Sequence, residues 1–343
     1  MILIINSESI GKEAENKINN ESNYHLHNIR LIVLFFIMKI LFGLLTILSL
    51  VSGAQRTQLH MGTLISVTVA EENLSDEVFA LFADLDNRLS TYKGDSEISN
   101  LNHTLESNVS DITRKILERS LEMYRLSDGA FDVTIGSVTH GVYRFGYDNE
   151  HLPSQTELHN AEKLIGSNRM KIDGNNFKLL PGTIIDLGGI AKGYAVDMAL
   201  NLLKQKGVVN AVVAASGDIG CLGKCVVNIQ DPFHPQGHIA TITSTLPRFA
   251  ISTSGNYERY IKNKTHNHLI DPKTGKSQQR YASITLMDIG DNTRIDALAT
   301  AVSVMDERKA IAMLNKLKLS YLLIHTDGTM IKSPMPIGVL ITL

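Results

Sequence analysis

TIIDLGGIAKGYAVDMALNLLKQKG, residues 183 to 207, runs from a short apolar segment through an Asp and paired glycines into an amphipathic pattern. It reads as a strand, a glycine corner and a helix closed by Gly207, with Ala191, Ala195, Met198 and Leu202 as the inner helical face. Glycines at a helix start expose backbone N–H groups and the positive end of the helix dipole, so a phosphate cradle is one reading. The standard fingerprints do not fit, because Lys192 precedes Gly193 with no hydroxyl after it and the dinucleotide-binding glycine spacing is absent. The corner implies close backbone approach to something, and a plain strand-to-helix turn is the alternative. Asp186, where the strand ends, favours a site, since a carboxylate there is costly to bury unless something pairs with it.

Outward from this stretch the chain alternates strands and helices. "LISVTVA" (64–70) has strand periodicity, 76–89 carries Val78, Phe79, Phe82 and Leu85 on one helical face, and 111–126 is a second helix stopped by Asp128-Gly129. "MKID" and "NFKLL" around Gly174 read as a hairpin. Beyond Gly207, strands are expected at 211–215, 226–229, 238–245, 249–253 and 283–287, helices at 294–305 and 307–317, and a last strand pair near 320–332. Clustered strands with helices between them predict an α+β fold with a mostly antiparallel sheet and packed helices. The length of 343 residues and the hydrophobic fraction of 43% suffice for one large domain or two subdomains.

With 33 Lys+Arg against 35 Asp+Glu and no long basic run, the chain lacks the electrostatic footprint of a nucleic-acid binder. Residues 1–28 are polar and aperiodic, and "LIVLFFIMKILFGLLTILSLVSGAQ" (31–55) follows. Counted from Met1, residues 31–50 are long enough for a membrane helix, although Lys39 is costly at its middle. Counted from Met38, the run has a basic start, an apolar centre and Ser52-Gly53-Ala54, the small-x-small pattern of a cleavable signal. The expectation is therefore a 1–54 leader with its true start at Met38, export to the periplasm, and a functional domain over 55–343. Inner-membrane association is the competing outcome, and no Cys follows the apolar run to carry a lipid. The two cysteines, Cys221 and Cys225 in "GCLGKC", make a poor zinc site; a disulfide and an incidental pair at a hairpin tip both stand open.

Two polar constellations remain. Asp296 and Thr300 are four residues apart, hence on one helical face, beside an apolar stripe of Ile295, Leu298, Ala299 and Val302. A carboxylate and a hydroxyl so placed suit a hard cation such as Mg²⁺, though a helix-start Asp and a Thr bonded to its own backbone would look the same. "HNHLIDPKTG" (266–275) offers His266, His268 and Asp271 ahead of a turn.

These segments, with "HMGT" (60–63), "LSTYKGDSEISNLN", "SDGAFDVTIG", "DLGGIAKGYAVD", "SGDIGCLG", "STSGNYER" and "DALATA", occur in an order and spacing that resembles the ApbE family of FAD:protein FMN transferases. The resemblance implies an FAD site at Met61, Tyr92, Ala130, Phe131, Asp132, Asp186, Lys192 and Ile270, and a Mg²⁺ held by the Gly189 carbonyl, Asp296 and Thr300. It implies attack by a Ser or Thr hydroxyl of an acceptor protein on the FMN-side phosphorus of FAD, with AMP departing and His268, titrating near neutrality, as the base. Acceptors would be exported or membrane redox subunits, such as those of Rnf-type or sodium-pumping quinone reductase complexes. A Mg²⁺-dependent FAD pyrophosphatase and a non-catalytic exported flavin binder are the other two expectations. The chain departs from the family pattern at Val133, where relatives often carry Pro. It departs again at "VYRFG", where they carry an "LWGFG"-like stretch, and in the short segment between "SGDIGCLG" and "NIQDP".

Overall fold

Eight strands form the main sheet, in the order β1 (Ala54–His60), β2 (Thr63–Val69), β6 (Ala211–Ala215), β7 (Asp218–Leu222), β10 (Arg248–Gly255), β11 (Tyr281–Asp288), β12 (Ser320–His325) and β13 (Met330–Lys332). β8 (Cys225–Gln230), β9 (His238–Ser244) and β14 (Val339–Thr342) make a second sheet, and β3 (Glu106–Asn108), β4 (Met170–Asp173) and β5 (Asn176–Leu179) a third. Every strand pairing is antiparallel, as expected. This computed structural model describes residues 53–343; the polar leader, the apolar run and the choice between Met1 and Met38 lie outside the described residues. Among the described residues no helix is long and apolar enough to cross a membrane.

Among the described residues the longer helices are α1 (Glu72–Leu89), α2 (Glu97–Thr104), α3 (Asp111–Leu126), α4 (Gln155–Glu162), α5 (Ala191–Gln205), α6 (Asn292–Val304) and α7 (Glu307–Lys316). One apolar core runs from Ile65 and Val67 of β2 through Phe82 and Leu85 of α1 to Leu200 of α5, Leu298 of α6 and Leu323 of β12. α5 and α6 are the pair that positions the site, and their mutual capping explains how. Ile190, the residue before α5, has no capping side chain, and the Gly193 N–H instead donates to Asp296 Oδ2 of α6 at 2.9 Å. In return Asp197 of α5 accepts from the Thr293 N–H (2.8 Å) and hydroxyl (2.6 Å) at the start of α6. Each helix thus satisfies orphan N–H groups of the other. Glycine at 193 is what lets them meet, since a Cβ there would stand 2.7 Å from Asp296 Cβ.

The opening stretch departs from expectation in two ways. Residues 183–187 form no strand beyond a single parallel bridge between Ile184 and Ile135. The Asn102 side chain takes the place of a strand partner: its Oδ1 accepts from the Ile185 N–H (2.7 Å) and its Nδ2 donates to the Ile185 carbonyl (2.9 Å). The inner face of α5 is also rotated. Ala191 and Ala195 are buried, but Val196, Ala199, Leu200 and Leu203 complete that face, while Met198 and Leu202 are only partly buried. Gly207 takes the left-handed φ of +84° that ends the helix. The two cysteines are joined as a disulfide between β7 and β8, linking the main sheet to the second.

Candidate active site

The glycine corner opens onto a cleft. Of the residues expected at the site, Ala130, Phe131, Asp132, Asp186, Gly189, Lys192, His268, Ile270, Asp296 and Thr300 all line it. They come from four separate stretches of chain, and the α5–α6 pair supplies Lys192, Asp296 and Thr300. Gly189 packs so close to α6 that a Cβ would lie 3.0 Å from Thr300 Oγ1 and 3.3 Å from the Phe131 ring. The Thr300 hydroxyl reaches its own backbone only at 3.5 Å, to the Asp296 carbonyl, the outer edge of hydrogen bonding. It therefore keeps its oxygen available.

Met61 and Tyr92 do not line this cleft. Met61 sits in the β1–β2 turn with a left-handed φ of 51° and packs its side chain against the core. Tyr92 is 47% exposed, donates to the Phe145 carbonyl at 2.9 Å and accepts from Arg259 Nη1 at 2.9 Å. Its ring meets His140 edge-on and Tyr147 at a tilt, both at 5.2 Å between centroids. This aromatic wall joins the cleft through His140, whose Nε2 lies 3.2 Å from Asp186 Oδ2.

Asp186 is held in place from three sides. Thr139 donates to Oδ2 at 2.6 Å, His140 pairs with the same oxygen, and the Gly188 N–H donates to Oδ1 at 2.8 Å. Burial alone would raise this carboxyl, but His140 and these hydrogen bonds outweigh it and hold it well below the usual carboxylate range. Asp132, by contrast, gives its Oδ1 to the N–H (2.9 Å) and hydroxyl (2.7 Å) of Thr134, so it shapes its own turn.

His268 reaches the cleft, whereas His266 bonds Asn263 in a short turn and does not line it. His268 Nδ1 lies 3.1 Å from the Arg259 carbonyl, which can only accept, so Nδ1 carries the proton and Nε2 is left with its lone pair. Burial first, and the nearby Arg259 and Lys192 charges, push the imidazole down to about 4. The expectation of titration near neutrality is corrected accordingly: without substrate, this ring is neutral at pH 7.

Charge at the α5–α6 junction is unbalanced. Lys192 Nζ lies 2.6 Å from Asp218 Oδ2 and 3.7 Å from Asp296 Oδ1, so two buried carboxylates share one ammonium. Burial, then the Asp218 charge, push Asp296 up to about 7. Burial opposes the Lys192 charge, yet the two carboxylates hold that ammonium above its usual range. Asp296 Oδ2 is occupied by the Gly193 N–H, while Oδ1 accepts no hydrogen bond among the described residues. A divalent cation would offset the excess negative charge at that oxygen. Among the described residues no group of three or more His, Cys, Asp or Glu could hold a metal. The carboxylate, carbonyl and hydroxyl of Asp296, Gly189 and Thr300 are nonetheless the hard oxygen donors Mg²⁺ takes, with water and phosphate filling the remaining positions.

The sequence pattern of the ApbE family matches residues 61–323. The chain belongs to the ApbE family. It is 31% identical over 284 residues to the FAD:protein FMN transferase of Haemophilus influenzae, covering 77% of this chain and 82% of that one. It is 30% identical over 274 residues to the FAD:protein FMN transferase of Vibrio cholerae, covering 75% and 81%. Among solved structures, the ApbE protein of Thermotoga maritima is similar with a TM-score of 0.75 at 27% identity, covering 82% of this chain and 96% of that one. The flavin transferase ApbE of Vibrio cholerae gives a TM-score of 0.70 at 26% identity, again covering 82% and 96%. This ApbE-family chain is accordingly an enzyme of the transferase class.

Within this ApbE-family cleft, sequence reasoning missed Thr139 and His140 beneath Asp186, and Asp218 beside Lys192. Asp218 stands inside the quoted "SGDIGCLG", where its carboxyl was the available signal. His140 had none, because its partner Asp186 lies far along the chain and only the fold brings them together.

Proposed function

We propose that this protein transfers FMN from FAD to a Ser or Thr hydroxyl of an acceptor protein, with Mg²⁺ as cofactor and AMP as leaving group. The observation that carries this reading is the convergence of His268, Lys192, Asp296, Thr300 and Gly189 on one cleft. A neutral imidazole, a cation and three hard oxygens are what in-line phosphoryl transfer between oxygens requires. Mg²⁺ held by the Gly189 carbonyl, Asp296 and Thr300 would supply charge neutralisation on the pyrophosphate and the departing AMP.

The residues of the chain perform the remaining tasks. The Lys192 ammonium lines the cleft where phosphate oxygens would sit, and the N–H groups at the start of α5 add positive potential. His268 Nε2 takes the proton of the attacking hydroxyl as the new O–P bond forms and the bond to the AMP phosphate breaks. The pyrophosphate's negative charge raises the affinity of that nitrogen for the proton, offsetting the low basicity that burial imposes. Asp186, fixed by Thr139 and His140, and the buried Phe131 define the wall against which FAD is oriented.

Acceptors are proposed to be exported or membrane redox subunits, of the Rnf or sodium-pumping quinone reductase kind. The leader pattern supports a periplasmic location, and the Cys221–Cys225 disulfide is of a kind that persists in oxidising compartments. N-terminal sequencing of the protein from cells would read Gln55 first if the leader is removed, and an intact N-terminus would overturn that location.

Incubation with FAD, Mg²⁺ and such an acceptor subunit is expected to give FMN covalently bound to the acceptor and free AMP, read by mass spectrometry. His268→Ala is expected to slow transfer by roughly 10²- to 10⁴-fold. FAD affinity should stay nearly unchanged, because binding is spread over many contacts. Free FMN and AMP with every acceptor unmodified would instead make the enzyme an FAD pyrophosphatase. An unchanged transfer rate in His268→Ala would remove the base assignment.

A further inference from the structure

The ion pair that Lys192 chooses bears on whether a cation can bind at all. Asp296 and Lys192 both line the cleft, and left to themselves a buried carboxylate and an ammonium would pair. They do not make a hydrogen bond here: Nζ stands 3.7 Å from Asp296 Oδ1. It is held 2.6 Å from Asp218 Oδ2 instead. Asp218 does not line the cleft, and its side chain is 2% exposed. Its other oxygen accepts from the Ser252 hydroxyl at 2.6 Å, so the carboxylate is braced by β10, the neighbour of its own strand β7.

We propose that Asp218 is a positioning residue of the cation site: it anchors Lys192 to the wall of the cleft and so leaves Asp296 Oδ1 open to the divalent ion. The inference rests on the transferase reading above and deepens it. Lys192 and Mg²⁺ are competing cations for one oxygen, and Asp218 decides the competition by offering Lys192 a closer partner. Without that partner the ammonium moves about 1 Å, within the reach of its flexible stem, and closes on Asp296.

The test is Mn²⁺ binding, read from loss of the free-ion EPR signal, at saturating FAD and without acceptor. Asp218→Asn preserves shape and an oxygen for Ser252, and is expected to weaken Mn²⁺ binding by about tenfold or more, or about 1.4 kcal/mol. Adding Lys192→Gln to it is expected to restore binding to within about threefold of wild type, because the competing ammonium is gone. A double variant as weak as Asp218→Asn would show that only the lost negative charge matters, and would overturn the proposal. So would unchanged binding in Asp218→Asn. Should Asp218→Asn not fold, Lys192→Gln alone decides: binding within about threefold of wild type agrees with a lysine already held away. Binding tightened by about tenfold would show that Lys192 competes despite Asp218. A wild type that binds no Mn²⁺ removes the cation site itself, a failure of the transferase reading that is distinct from any confined to the variants.

Discussion

Asp296→Asn is expected to lower Mg²⁺-dependent turnover by roughly 10²- to 10³-fold while the protein stays folded, since metal stabilisation of transition-state charge is worth several kcal/mol. Asparagine is the informative replacement because Asp296 has two tasks. Its Oδ2 caps the Gly193 N–H of α5, and an amide oxygen can still do that. Its charge is what the cation needs, and an amide lacks it. Asp296→Ala loses both, and should also cost about 1 kcal/mol of stability for the missing cap. Thr300→Ala should do less than either, because water can replace a neutral ligand. Turnover against Mg²⁺ concentration, with circular dichroism as the folding control, separates these effects. A folded Asp296→Asn protein with wild-type rate and Mg²⁺ dependence would contradict the metal assignment.

Gly193→Ala is expected to destabilise the protein by about 3 kcal/mol, at the upper end of overpacking effects. The corresponding fall in Tm is roughly 4–5 °C for a chain of this size. The sign is what makes this diagnostic. In an ordinary helix interior the same change is favourable by about 1 kcal/mol. Here the new methyl would stand 2.7 Å from Asp296 Cβ and collide with the Asn292 carbonyl, both on the rigid frame of α6. The helices must separate, the reciprocal caps at Asp296 and Asp197 are strained together, and activity should fall with stability. Calorimetry of the purified variant checks it, and an equal or higher Tm would show that the α5–α6 contact is not the frame of the site.

The elements that periodicity revealed are those whose burial is one-sided and local. Helix α3 was legible because Ile112, Ile116, Leu117, Leu121 and Tyr124 recur at helical spacing and Asp128-Gly129 enters the left-handed region at its end. β1 was not, since its residues are polar and only partly covered as an edge strand. β7 hid behind its glycine: at Gly220 the Val196 side chain of α5 comes within 2.7 Å of where a Cβ would be, so a glycine interrupts the strand between Ile219 and Leu222 and no alternation shows in five residues. The segment before Asp186 looked like a strand because its residues are apolar, but its partner is the Asn102 side chain, which periodicity cannot express.

The site divides in the same way. Asp296 and Thr300 were readable from helical spacing, and the remaining cleft residues from their order along the chain. Their environment was not readable, because it depends on distant partners. Burial sets His268 to about 4, and Asp218 fixes where Lys192 points. The aromatic wall of Tyr92, Tyr147 and His140 likewise exists only once the 136–147 segment folds over the 89–93 turn.

The proposed cation seat at the glycine corner draws on Gly189, Asp296 and Thr300, all of which line the cleft. The most direct measurement is a crystal structure of the protein with FAD and Mn²⁺, with the ion located by its anomalous scattering. One peak is expected at about 2.2 Å from the Gly189 carbonyl, Asp296 Oδ1 and Thr300 Oγ1, with FAD phosphate oxygens completing the shell. FAD bound in the cleft with no peak there, or with Mn²⁺ held by other residues, would contradict it.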